Sequence, residues 1–180
     1  MPDLAGKKVA VLVDNYFEEA EFTGPIDALK EAGASVDVIA SSPEDGQVQA
    51  LQHVDKSKTY KIDKTLEEAN IDDYDALVLP GGAINADQLR MKDKARQWVR
   101  RVAEQKKPLA VICHAPWILA SAGLARGRKL TSFFTIQDDL RDAGAEWVDE
   151  EVVVDGSIIT SRTPDDVPAF NRTLISMLAH

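Results

Sequence analysis

Four apolar segments, separated by stretches with helical periodicity, constrain the fold of this chain more than any other feature. The first, "KKVAVLV" at 7–13, is a continuous β-branched run, which is typical of a strand buried on both faces of a sheet. Segments 35–40, 75–82 and 108–112 have the same character. Strands that alternate with helices predict an α/β sandwich with a mostly parallel sheet.

The remaining segments fit the same architecture. Apolar spacing and start or stop residues predict helices at 18–33, 65–70, 87–105, 115–125, 135–144 and 164–179. We expect an irregular first turn at Gly24-Pro25, a cap at Thr65, and a cap at Thr163. Two hairpins are also predicted, at 41–63 with its turn near 55–57 and at 150–162 with its turn at Asp155-Gly156.

Length and composition favour one soluble domain, residues 1–180. The formal net charge of −9 argues against nucleic-acid binding, because phosphates require basic surfaces. The apolar run at 109–125 is too short for a membrane span, and the N-terminus lacks the regions of a signal peptide. We therefore expect a cytoplasmic protein that does not bind membranes.

The sequence offers no sign of a metal or a cofactor. A single cysteine, Cys113, excludes an internal disulfide and a cysteine-rich metal site. Neither G-x-G-x-x-G nor the P-loop pattern occurs, so nucleotide-cofactor folds are unsupported. We expect a protein that works without either kind of group.

Three unusual segments each follow a predicted strand directly. They are the acidic stretch from Asp14 to Glu21, the glycine pair Gly81-Gly82, and Cys113-His114. In parallel sheets, ligands bind at the carboxyl ends of the strands. We therefore expect the three segments to meet at one edge of the sheet.

Cys113 and His114 stand at a strand-to-helix joint, as the nucleophile does in the elbow of α/β-hydrolases. A helix that begins at once and a neighbouring imidazolium would both favour the thiolate. The alternative is that Cys113 is a small core residue, since free cysteine is often buried. The glycine pair at a neighbouring joint makes the catalytic interpretation the stronger one.

Two further elements complete the expected site. The backbone N–H groups of Gly82 and His114 are candidates for an oxyanion hole, because the Gly81-Gly82 pair leaves a ligand free access to the backbone. Glu21 lies between two apolar residues near the start of its helix. If Glu21 contacts the thiol, it should be protonated when the thiolate forms, because two adjacent negative charges would repel each other.

The chain resembles the PfpI family of the ThiJ/PfpI superfamily, relatives of the class I glutamine amidotransferases. The resemblance runs over essentially the whole chain and is carried by "DALVLPGG", "AVICHAPWIL", "GRKLTS", "AGAEWVDEEVVVDG" and "SRTPDDVPAFN". It implies a flavodoxin-like α/β/α sandwich with a nucleophile elbow at Cys113, His114 as its partner, and Glu21 against the thiol.

The resemblance also implies a homo-oligomer in which an acid after the glycine pair orients the histidine of another subunit. The matching residue is Asp87, although the family often has Glu there and this loop is one residue longer. Ala115 replaces a glycine common in the family, and its methyl group is expected to narrow the pocket. The amidotransferase activity itself does not fit, because His53 and the terminal His180 are the only histidines besides His114. His53 is interpreted as a surface or interface residue.

Three activities are implied for such a site: intracellular cysteine peptidase, cofactor-free glyoxalase, and deglycase. Small carbonyl substrates are favoured over polypeptides, because no long peptide-binding groove is indicated. Two alternatives stay open. Cys113 could be a redox sensor without turnover, or the protein could be a chaperone-like stress protein that does not need this thiol.

Overall fold

In the computed structural model, which describes residues 2–180, the chain forms twelve strands and six α-helices. The strands are β1 (Lys8–Val13), β2 (Phe17–Glu18), β3 (Ser35–Ala40), β4 (Gln47–Gln52), β5 (Asp55–Lys61), β6 (Lys64–Thr65), β7 (Ala76–Leu79), β8 (Leu109–Ile112), β9 (Lys129–Leu130), β10 (Glu146–Trp147), β11 (Val153–Asp155) and β12 (Ile158–Ser161). The helices are α1 (Glu19–Glu31), α2 (Ala83–Leu89), α3 (Asp93–Glu104), α4 (Trp117–Ser121), α5 (Gln137–Asp142) and α6 (Val167–Leu178).

The four apolar runs form the centre of a seven-stranded sheet with the order β11-β12-β8-β7-β1-β3-β6. Every neighbouring pair is parallel except β11 and β12, which form the antiparallel hairpin expected at 150–162. The predicted mostly parallel α/β sandwich is therefore confirmed.

Strand β1 shows why its sequence is apolar without alternation. Val9, Val11 and Val13 pack into one core, and Ala10 and Leu12 pack into the core on the other side of the sheet. Successive side chains of a strand point to opposite faces, so a strand covered by helices on both faces needs apolar residues throughout.

The helices divide between these two cores. Helices α1 and α6 cover the first face, where Phe22 and Phe170 are buried. Helices α3, α4 and α5 cover the second face, with Trp98, Leu119 and Leu140 in its core. None of the helices within residues 2–180 has the length and apolar character to cross a membrane.

The predicted hairpin at 41–63 is formed by β4 and β5 and is joined by β2 in a separate three-stranded sheet. Its turn lies at His53-Val54, so the expected turn at 55–57 was wrong. Asp55 pairs with Gln52, and the residues after it continue β5. Lysine and serine are tolerated in this exposed strand because most of its side chains face away from the core.

The helix predicted at 87–105 is two helices, α2 and α3, and α2 begins four residues earlier than expected. The guanidinium of Arg96 donates to the carbonyl of Arg90 at 2.7 Å, which satisfies the end of α2 and lets the chain turn. The helix predicted at 115–125 is only the five residues of α4. Gly123 takes a φ of +76° and Leu124 N–H donates to Leu119 at 2.8 Å, a Schellman ending.

Three helix starts also differ from the sequence expectation. Helix α1 runs through Gly24-Pro25 without the expected irregular turn. Thr65 caps a single turn, which does not continue as a helix. At α6, a 3₁₀ turn precedes the helix, and Thr163 stands at the N-cap position of that turn without a capping hydrogen bond from its side chain. The Asp166 carboxylate instead accepts the Arg162 N–H at 2.9 Å.

Candidate active site

The three segments that follow β1, β7 and β8 meet at one edge of the sheet, as expected. These strands are neighbours in the order β8-β7-β1 and run parallel, so their carboxyl ends lie side by side. Glu21, Gly81, Gly82, Cys113 and His114 are brought together there. The sheet topology thus assembles residues that are far apart in the sequence.

Cys113 occupies a strained turn directly after β8. Its φ is +67°, a left-handed conformation that non-glycine residues seldom adopt and that costs on the order of 1 kcal/mol. Two backbone hydrogen bonds hold it: its N–H donates to Ser161 at 3.0 Å, and its carbonyl accepts from Phe133 at 2.8 Å. Cys113 is only 7% exposed, yet it lines the pocket at this edge of the sheet. This is the geometry of a nucleophile elbow.

The His114 imidazole is held from three sides. Its Nδ1 lies 3.2 Å from Cys113 Sγ, its Nε2 lies 3.2 Å from Thr135 Oγ1, and its ring stacks on Phe133 at a centroid distance of 4.7 Å. Sequence reasoning missed Thr135 and Phe133, because they reach the histidine only through tertiary packing. Burial lowers the pKa of His114, so the ring is neutral at neutral pH and can accept the thiol proton.

Glu21 reaches the site from the first turn of α1 and is completely buried. Its Oε1 accepts the N–H of Gly81 at 3.0 Å, and its Oε2 has no hydrogen-bond partner within residues 2–180. Burial, reinforced by repulsion from Glu18, raises the pKa of the carboxyl to about 8. Glu21 is therefore mainly protonated at neutral pH, and it can donate a hydrogen bond.

The thiol and this carboxyl titrate as a coupled pair. Burial raises the pKa of Cys113 above its usual range, and repulsion from an ionised Glu21 raises it further. Hydrogen bonds from the backbone N–H groups of Gly82 and His114 lower it. While Glu21 keeps its proton the repulsion is absent, so a thiolate forms more easily beside the protonated acid.

The structure corrects the two causes that the sequence suggested for a thiolate. Helix α4 begins at Trp117, four residues after Cys113, and has only five residues, so its dipole contributes little. The neighbouring imidazole is neutral and supplies no positive charge. The thiolate is favoured instead by the N–H groups of Gly82 and His114, and by the proton on Glu21, which removes the repulsion.

The glycine pair allows the backbone to approach the sulfur closely. A Cβ on Gly81 would lie 2.5 Å from the Cβ of Cys113 and closer still to Oε1 of Glu21. Gly82 has a φ of +94°, which favours glycine. Its N–H and that of His114 both interact with the sulfur, so they lie beside the place where the oxygen of a carbonyl attacked by Cys113 would come to lie.

Ala115 does not take the expected place. Its N–H donates to Ile112 at 3.0 Å and its methyl group lies in the core, 3% exposed, so it neither narrows the pocket nor supplies a free donor. Asp87 lies one turn along α2 from the pocket residue Ile84, with its side chain exposed. Its proposed contact with the histidine of another subunit stays a prediction.

The site opens into a pocket of about 1000 Å³. The tip of the β4–β5 hairpin forms one wall, and the N–H of His53 donates to the Glu18 carboxylate at 3.1 Å. His53, interpreted from sequence as a surface residue, is thus also part of the pocket wall. Within residues 2–180 no three His, Cys, Asp or Glu side chains are grouped as metal ligands.

The raised pKa of Glu21 predicts a pH-dependent stability. In the unfolded chain the carboxyl titrates near 4.5 and in the folded protein near 8, so between these values the folded state binds one more proton. The stabilisation is full below pH 4.5 and is lost as the pH rises through 8. Relative to Glu21→Gln, the wild-type free energy of unfolding should fall by about 1.4 kcal/mol per pH unit between pH 5 and 8.

Urea unfolding of both proteins at several pH values measures this difference. Glu31→Gln, an exposed change at the other end of α1, serves as the control and should follow the wild type at every pH. Parallel curves for wild type and Glu21→Gln would show that Glu21 is ionised in the folded protein.

The contact between Thr135 and His114 predicts an effect on thiol reactivity. Thr135→Val keeps the side-chain shape but removes the hydrogen-bond partner of Nε2, so alkylation of Cys113 by iodoacetamide at pH 7 should slow about three- to tenfold. Because the chain has one cysteine, the alkylation rate reports this site alone. Thr135→Ser retains the hydroxyl and should react at nearly the wild-type rate; equal rates for the valine and serine variants would contradict the assignment.

Comparison with known proteins places this chain in a family. Residues 7–177 match the DJ-1/PfpI family. The chain is 43% identical over 173 residues to protein/nucleic acid deglycase 2 of Escherichia coli K12, which covers 96% of this chain and 98% of the relative. It is 41% identical over 174 residues to general stress protein 18 of Bacillus subtilis 168, with coverages of 96% and 98%.

One solved structure has a similar fold over nearly the whole chain. The two-domain protein of Anabaena variabilis, which contains a DJ-1/ThiJ/PfpI-like and a ferritin-like domain, aligns with a TM-score of 0.90 at 36% identity. The alignment covers 97% of this chain and 48% of that protein. Sequence and fold agree, and the chain belongs to the DJ-1/PfpI family.

Proposed function

We propose that this protein is a cysteine-nucleophile enzyme that acts on reactive carbonyls, as a cofactor-free glyoxalase and deglycase. The observation that carries the proposal is the contact between Cys113 Sγ and a neutral His114, 3.2 Å apart, beside the protonated carboxyl of Glu21. The deglycase name of the Escherichia coli relative supports the same substrate class.

The first step is attack on an aldehyde carbon. His114 accepts the thiol proton at Nδ1, and the sulfur of Cys113 adds to the carbonyl to give a hemithioacetal. The negative charge that develops on the carbonyl oxygen is held by the N–H groups of Gly82 and His114, which already interact with the sulfur. Glu21 can then supply a proton to this oxygen.

The second step is an internal oxidation and reduction of the substrate. A proton leaves the former aldehyde carbon and another is delivered to the neighbouring ketone carbon, with His114 or Glu21 as the carrier. The product is a thioester of lactate on Cys113, which water hydrolyses to lactate and the free thiol. Methylglyoxal plus water thus gives lactate without an external oxidant. With an adduct, the sulfur displaces the amine from the same carbon while His114 or Glu21 protonates the leaving nitrogen, and the resulting hemithioacetal follows the same path, so that an adduct plus water gives lactate and the free amine.

The charge of the pocket favours neutral or cationic substrates. Glu18, Glu19 and Asp165 line it, and among residues 2–180 no lysine or arginine contributes to its lining. The Glu19 carboxylate is fixed by the hydroxyls of Ser57 and Tyr60 at 2.6 and 2.8 Å, and these bonds help to lower its pKa to about 2. We therefore expect adducts of arginine or lysine side chains to react faster than adducts of nucleotides, whose phosphates would be repelled.

The direct test is the formation of D-lactate from methylglyoxal. Replacing the nucleophile in Cys113→Ser should lower the rate more than about 10³-fold, because the weaker hydroxyl nucleophile cannot form the thioester efficiently. Thr173→Ser, a conservative change on α6, is a suitable control and should retain the wild-type rate. Equal rates for wild type and Cys113→Ser would exclude this mechanism.

The same proteins distinguish the alternatives. Oxidation confined to Cys113 after mild peroxide, without turnover of aldehydes or peptides, would favour a redox sensor. Protection of other proteins that survives Cys113→Ser would favour the chaperone-like role. Turnover of peptides but not of methylglyoxal would identify the intracellular peptidase.

We further propose a homo-oligomer in which Asp87 approaches His114 of a neighbouring subunit.

A further inference from the structure

Asn85, a residue that the sequence analysis did not single out, lies directly behind the glycine pair. It is the third residue of α2 and is completely buried. Burying an amide side chain is unfavourable unless its donors and acceptor find partners. The partners of Asn85 therefore indicate what this side chain holds in place.

All three partners are backbone groups at the edge of the site. Nδ2 donates to the carbonyl of Pro80 at 3.0 Å and to that of Gly81 at 2.9 Å, and Oδ1 accepts the N–H of Asp14 at 2.6 Å. The side chain thus ties the end of β7 to the residue that follows β1. The Gly81 carbonyl also accepts the N–H of Glu18 at 3.2 Å, so it has two donors.

The Gly81 carbonyl and the Gly82 N–H belong to one planar peptide group. Because they point in opposite directions, fixing the carbonyl toward Asn85 directs the N–H toward the Cys113 sulfur, with which it interacts. Two donors on the carbonyl also polarise the peptide and strengthen its N–H as a donor. Glycine at Gly82 permits φ of either sign, so the backbone itself does not prevent a flip of this peptide, and its orientation depends on the hydrogen bonds from Asn85 and, at the longer distance of 3.2 Å, from Glu18.

We propose that Asn85 is a positioning residue that holds the Gly81–Gly82 peptide in the orientation needed to stabilise the Cys113 thiolate and the oxyanion. The effect on the thiolate is independent of the reaction catalysed, whereas the effect on the oxyanion rests on the proposed function. Asn85 touches neither the sulfur nor the substrate, and it acts through the peptide.

The test compares Asn85→Asp with wild type in two measurements. The substitution preserves shape and the acceptor for Asp14, but it replaces the Nδ2 donor with an oxygen that faces two carbonyls. The pH profile of Cys113 alkylation should shift upward by at least half a pH unit, since the Gly82 N–H no longer stabilises the thiolate. With methylglyoxal, kcat should fall about 10²-fold while KM changes less than threefold.

Tyr74→Phe is the matched control. Tyr74 is 2% exposed just before the start of β7, at the opposite end from the site, and its hydroxyl donates to Asp37 at 2.6 Å. This variant also loses a hydrogen bond made by a buried side chain, but it should keep the wild-type alkylation profile and kcat. If Asn85→Asp does not fold, Asn85→Ser replaces it, because serine keeps a donor and an acceptor on a shorter side chain. The alkylation profile should again shift upward, and kcat should again fall.

A folded Asn85 variant with the wild-type alkylation profile would overturn the proposal, and so would an equal change in Tyr74→Phe. The alkylation measurement does not depend on the reaction that the protein catalyses. Wild-type protein that forms no lactate would refute the glyoxalase activity, and an upward shift of the alkylation profile would still support the role of Asn85.

Discussion

One buried carboxyl, that of Glu21, is the interaction on which the site depends. It reaches from α1 to the N–H of Gly81 and lies against the thiol of Cys113, so it joins the connections that follow β1, β7 and β8. An ionised carboxylate in this position would oppose the thiolate and would be costly to bury. A protonated one removes the repulsion and supplies a hydrogen-bond donor. The proton on Glu21 thus allows the acid to be buried beside a reactive sulfur.

The fold supports this arrangement by making the site rigid. Cys113 is held at a positive φ by hydrogen bonds to Ser161 and Phe133, and the glycine pair is held by Glu21 and Asn85. These contacts come from strands and helices whose other residues are buried in two cores. The strain at the elbow is therefore supported by the packing of the whole sheet, as is common for functional residues in unusual conformations.

Much of this could be predicted from the sequence, for an identifiable reason. Continuous apolar runs such as 7–13 determine which strands are buried on both faces, and parallel strands bring their carboxyl ends together, so the meeting of the segments that hold Glu21, Gly81 and Cys113 could be predicted from pattern. The contact of Glu21 with the thiol was implied only by the family resemblance. The local boundaries could not be predicted so well. Arg96 ends α2 and a Schellman turn at Gly123 ends α4 through contacts that propensities do not encode. Thr135 and Asn85 were missed, and His53 was not predicted in the pocket wall, because each reaches the site by tertiary packing.

The most direct test of this account is the protonation state of Glu21. Carboxyl ¹³C NMR of protein labelled at the glutamate side-chain carboxyl, with Glu21→Gln to assign the resonance, follows this group alone through a pH titration. The account predicts a resonance that stays protonated through neutral pH and titrates near 8. A resonance that titrates near the ordinary value of 4.5 would contradict it, because the thiolate would then form beside a negative charge.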